Sequence, residues 1–73
     1  MARGWIHTVY KGGRWVNEVE EGEELSSHDT KEEAQSAGRS AAQQRQTEHV
    51  IHNQDGTISE RSSHGNDPRD VPG

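Results

Sequence analysis

His49-Val50-Ile51-His52-Asn53-Gln54-Asp55-Gly56-Thr57-Ile58 is the stretch whose reading decides the fold of this chain. Val50 and Ile51 are β-branched and set a strand over residues 47–53. A strand sends alternate side chains to opposite faces, so Val50 and His52 share one face while His49 and Ile51 share the other. Asn53-Gln54-Asp55-Gly56 then reverses the chain, because Asp-Gly supplies the side-chain bond and the positive φ that tight hairpins need. Residues 57–61 make a polar return strand, suited to a sheet edge where weak apolar alternation is tolerated. From Ser62 to Gly73 no periodicity survives. Asn66-Asp67-Pro68 reads as a turn, and within the polar tail 63–73 the segment 63–68 is expected to fold back on the domain.

Immediately before this hairpin lies a helix, expected over residues 31–46. Thr30-Lys31-Glu32-Glu33 fits a capping box, with Asp29 as an alternative cap. Glu32 and Glu33 at the start and Arg39 and Arg45 further on suit the helix dipole. Ala34, Ala37 and Ala41 form one stripe flanked by Gly38 and Ala42. A stripe of such small residues implies close approach to a sheet, with the tryptophans filling the space.

The N-terminal third holds a second hairpin. Residues 5–10 are aromatic and β-branched, with Trp5, His7 and Val9 facing one way and Ile6, Thr8 and Tyr10 the other. Lys11-Gly12-Gly13-Arg14 is its turn. Residues 14–20 follow, with Trp15, Asn17 and Val19 opposed to Val16, Glu18 and Glu20. Glu18, Glu20, Glu21, Glu23 and Glu24 then form an acidic run, expected to be a solvated strand end and loop. Leu25 plugs the core from that loop.

The fold expected is therefore α+β: residues 1–4 flexible, then a ββαββ domain over 5–62 with two hairpins flanking one helix on one face of a sheet. The chain has 73 residues, of which 25% are hydrophobic and 29% charged, so it is one small domain with little core. Backbone pairing, dispersion contacts or a partner must supply the remaining stability, and a homodimer is one way to do so.

Composition and motifs exclude several activities. No cysteine is present, so disulfides, thiolate metal sites and thiol nucleophiles are absent. No apolar run approaches the roughly 20 residues a spanning helix needs, and a cytoplasmic location is expected. Residues 53–59 resemble the middle of an EF-hand loop. In that alignment, however, Ile51 falls where the first aspartate belongs and Ser62 where the bidentate glutamate belongs. A plain turn explains Asp55 and Gly56 better. Of the histidines His7, His28, His49, His52 and His64, the pair His49 and His52 points to opposite faces, and His52 can meet His7 or His64 only through the fold. Exposed or hydrogen-bonded histidines without a metal are the expectation, so neither cofactor nor metal is assigned. No nucleophile elbow, Walker loop or dinucleotide fingerprint occurs, and a non-enzymatic protein is expected.

Trp15 on its strand, Thr30-Lys31-Glu32-Glu33-Ala34 opening an alanine-rich helix, and His52-Asn53-Gln54-Asp55-Gly56-Thr57-Ile58 together resemble the bacterial domain-of-unknown-function family 2188. Ser63-His64-Gly65-Asn66-Asp67-Pro68 resembles that family's closing turn. The resemblance spans about residues 5–70. It departs at His64, where the family usually has an aromatic residue, and near Asn17, where it has a valine. It implies a fold and a bacterial or phage origin, and no reaction.

Binding is the function left. A protein-interaction module is expected, acting through a sheet face or the polar edge strand on a protein partner or on its own copy. The residues singled out are Trp5, Tyr10, Lys11, Arg14, Trp15, His52, Asp55, Gly56, Asn66 and Asp67. An alternative is a nucleic-acid site at the first hairpin, where Trp5, Tyr10 and Trp15 would stack bases beside Lys11 and Arg14. The net charge of −5 weighs against it. A further alternative is an acidic inhibitor whose glutamates mimic phosphates.

Overall fold

The structure is a computed structural model that describes residues 4–64. It is a small α+β fold in which one helix packs on one face of a five-stranded sheet. In chain order the elements are β1 (Ile6–Lys11), β2 (Arg14–Val19), β3 (Glu24–His28), α1 (Lys31–Arg45), β4 (Glu48–His52) and β5 (Ile58–Ser63). The strands lie in the order β3-β2-β1-β4-β5, antiparallel except that β1 and β4 run parallel.

β1 and β2 form the expected hairpin. Gly12 and Gly13 take φ of 57° and 89°, the left-handed values a two-residue hairpin turn requires. The expected ββαββ order needs correction, because β3 occupies part of the acidic stretch read as a loop. Gly22, at φ 112°, lets the chain reverse after β2. Glu24–His28 then pairs along the free edge of β2, and Leu25 reaches the Ile6–Val19–Ala42 cluster from that strand. With one large apolar residue, β3 is held by backbone pairing rather than by a buried face, so it leaves no periodic trace.

The extra strand sets the topology. It returns the chain to the direction of β1, and α1, about 22 Å long, carries it back across the sheet to lay β4 beside β1. A parallel neighbour requires such a crossover, and helices commonly supply it.

α1 begins as expected: the Thr30 hydroxyl accepts from the Glu33 N–H at 3.1 Å. It ends at Gln46, a left-handed C-cap with φ 56°. The buried stripe is Ala34, Gly38 and Ala42, which displaces the expected Ala34–Ala37–Ala41 stripe by a small rotation. Gly38 is the cause, since its missing side chain admits the closest approach to the sheet. The tryptophans divide between faces. Trp15 lies under the first turn of α1, with Lys31 Nζ 5.5 Å from its ring, whereas Trp5 lies on the opposite face beneath Arg61. No helix among the described residues is long and apolar enough to cross a membrane.

β5 is an edge strand, as expected, and extends to Ser63; the His64 N–H continues its ladder to the Thr47 carbonyl at 3.1 Å. The expected turn at Asn66-Asp67-Pro68 lies outside the described residues.

Candidate functional site

Two groups of polar side chains are assembled by the sheet, one on each face. Under the helix, Thr8 on β1 stands opposite Asn17 on β2, and His49 on β4 flanks Thr8 from the other side. All three are at most 2% exposed. Thr8 Oγ1 donates its single proton to Asn17 Oδ1. It therefore accepts from His49, whose Nε2 lies 2.7 Å away and must carry the hydrogen. Asn17 Nδ2 donates to the Ala34 carbonyl at 2.9 Å and to Ser26 Oγ at 3.3 Å, tying β2 to α1 and β3. Burial drives the His49 pKa down to about 4, helped by the nearby His64, Arg39 and His7. A neutral, donating imidazole is thus built into the core.

No helix of the described residues lies on the opposite face. β1 places His7 and Val9 there, β2 Val16 and Glu18, and β4 Val50 and His52; Val16 and Val50 are themselves buried, 5% and 2% exposed. Ile58 of β5 pairs with His52 and is 59% exposed. His7 and His52 meet: Nδ1 of the first is 3.0 Å from Nε2 of the second, and the ring centroids are 5.2 Å apart. The other nitrogen of His52, Nδ1, lies 3.4 Å from the Gly56 carbonyl, on the turn that follows β4. Burial and the neighbouring His52 lower the His7 pKa, while Glu20 and Glu18 act the other way. Around the pair, Lys11 Nζ is bound to Glu18 at 2.8 Å. Arg61 lies over the Trp5 ring at 5.6 Å, with its Nε 3.2 Å from Glu48 Oε1 but poorly aligned for a hydrogen bond.

The residues expected to form a site are dispersed. Tyr10 leans on Trp15 at 5.0 Å between centroids, both on the helix side, and Trp15 is only 7% exposed. Trp5 is on the other face, so the three aromatics make no common stacking platform. Arg14 is paired with Asp29 at 2.8 Å and Lys11 with Glu18. Asp55 serves its own turn: its Oδ1 accepts from the Thr57 N–H at 3.0 Å and from the Thr57 hydroxyl at 2.7 Å. Those bonds hold its carboxyl below the usual range. Gly56 takes φ 94° and donates to the Asn53 carbonyl at 2.9 Å. Asn66 and Asp67 lie outside the described residues. His52 is the one expected residue that the fold brings to a partner histidine. His7 was one of two histidines the sequence left open as partners of His52, and the fold selects it over His64. Thr8 and Asn17 announced themselves only as polar residues at inward positions.

The fold and these two clusters define a class: a small α+β protein with a mixed sheet, a buried polar cluster beneath its helix and an opposite face on which no described element lies. The chain belongs to the bacterial domain-of-unknown-function family 2188, whose family model, described as an uncharacterized protein conserved in bacteria, matches residues 6–64. No curated protein and no solved structure matches the chain.

Proposed function

We propose that this protein is a non-catalytic interaction module whose sheet face opposite the helix receives a protein partner. The observation that supports it is the division of labour between the faces. The helix packs on the side of Thr8, Asn17 and His49. The other side displays Trp5, Val9, His7, His52 and Ile58 with no element of the described chain laid across them. Aromatic and aliphatic groups ringed by paired charges are what a protein partner's surface buries. The same face ends at the edge strand β5, whose outer backbone groups are open to a partner's strand. A nucleic-acid reading gains nothing from the arrangement, since Lys11 and Arg14 are already paired and Trp15 is buried.

Site-specific photo-crosslinking in the native bacterium tests this. A crosslinker replacing Val9 or Ile58 is expected to yield a protein adduct of defined mass, whereas one at Gln44 on the exposed side of α1 yields none. Equal labelling from both faces, no adduct at all, or a gel shift with single-stranded nucleic acid at micromolar protein in low salt would overturn the proposal.

A further inference from the structure

We propose that His7 and His52 form a two-histidine site for a divalent late transition ion such as Ni2+, Cu2+ or Zn2+ on the sheet face opposite the helix. Their facing nitrogens are 3.0 Å apart. Two imidazoles on one tetrahedral ion, each at about 2.0–2.1 Å, place their nitrogens about 3.3 Å apart. A modest swing of the two rings, now tilted by 31°, opens the gap to that spacing.

His52 is oriented as a ligand should be. Its Nδ1 faces the Gly56 carbonyl at 3.4 Å, which favours the tautomer with the hydrogen on Nδ1 and a bare Nε2 aimed at His7. His7 contributes Nδ1 once its hydrogen resides on Nε2. Both residues stand on adjacent inner strands, and the His7–Val50 register between them fixes their separation through the backbone. Glu18 lies across the β1–β2 ladder from His7 and holds the Lys11 ammonium in an ion pair at 2.8 Å. The basic side chains of this face, Lys11 and Arg61, are turned to Glu18 and to Trp5 and Glu48.

Imidazole nitrogen suits late first-row ions better than Mg2+ or Ca2+, which prefer oxygen. Among the described residues no cluster of three or more histidine, cysteine or acidic side chains closes around an ion. A bound ion therefore keeps positions for water or for a side chain supplied by a partner.

Calorimetric titration of the intact protein with NiCl2 or ZnCl2 alone at pH 7.5 is expected to show one saturable site per chain. His7→Gln or His52→Gln should weaken it about tenfold or more, since even lost supporting bonds cost 10–100-fold. His28→Gln should leave it unchanged. Ring-nitrogen NMR of the unsubstituted protein tests the same point without relying on any variant. Zinc should shift His7 Nδ1 and His52 Nε2. No saturation below about 1 mM, perturbation confined to His28, His49 or His64, or binding unaffected in both glutamine variants would overturn the assignment.

Discussion

Gly38 stands directly against His49: a Cβ at that helix position would lie 2.5 Å from His49 Nε2. The same Cβ would come within 2.6 Å of Asn17 Oδ1 and 2.8 Å of Thr8 Oγ1. The helix is thus seated on a polar cluster, at a height that only glycine permits.

Gly38→Ala is therefore expected to destabilise the protein, even though alanine is the better helix former by about 1 kcal/mol. The atoms it meets are hydrogen-bonded to one another and cannot yield without breaking those bonds. Overpacking of this kind costs about 1–3 kcal/mol. Set against the gain in helix propensity, a net loss of up to about 2 kcal/mol in urea unfolding is predicted; a raised midpoint would show that the helix lifts freely.

Thr8→Val keeps the shape but removes the hydroxyl that accepts from His49 and donates to Asn17. Two buried polar groups then lose a partner. A loss of at least about 2 kcal/mol follows, because each orphaned group costs about 1–3 kcal/mol. Thr8→Ser, which retains the hydroxyl, should recover most of it.

Acid should weaken the fold through His49. Its pKa in the folded protein is about 4, below the ordinary value of 6.5, so the unfolded chain takes up a proton first as the pH falls. The contribution is complete above about pH 6.5, declines between 6.5 and about 4, and changes no further below that. The shift corresponds to roughly 3 kcal/mol at most. His7, also lowered, acts in the same sense. Urea midpoints at pH 7.5, 5.5 and 4.0 should fall in that order, and His49→Gln should flatten the trend in this window.

The two tryptophans should separate cleanly. Trp15 is buried beneath α1, and Trp15→Ala is expected to cost about 3 kcal/mol or more. Trp5 is half-buried beside Arg61, and Trp5→Ala is expected to cost no more than about 1 kcal/mol. Acrylamide quenching should accordingly be stronger for the variant that retains only Trp5.

Much of the fold was legible in the chain. The Thr30 cap, the Gly12-Gly13 and Asp55-Gly56 turns and the alternation along β1, β2 and β4 are properties of a few neighbouring residues. β3 was not legible, because Glu24-Leu25-Ser26-Ser27-His28 offers one large apolar side chain and pairs through its backbone. The helix stripe was misplaced by a turn fraction, since alanine counted as the marker when the closest contact belonged to glycine. Of the candidate site, alternation alone separated His49 from His52, yet nothing in the order of residues joined His52 to His7.

Local chemistry, then, was settled by the amino-acid order: φ at glycine turns, a hydroxyl at a helix start and the face each strand residue occupies depend on short-range sterics and hydrogen bonding. Strand order and pairing were settled only by the folded chain, because any strand edge offers the same backbone groups to any other. The third strand turned the chain once more and made β4 parallel to β1. That single reversal placed His52 beside His7 and His49 beside Thr8. The stretch from His49 to Ile58 could specify its own hairpin, but which residues it would face was a decision of the whole sheet.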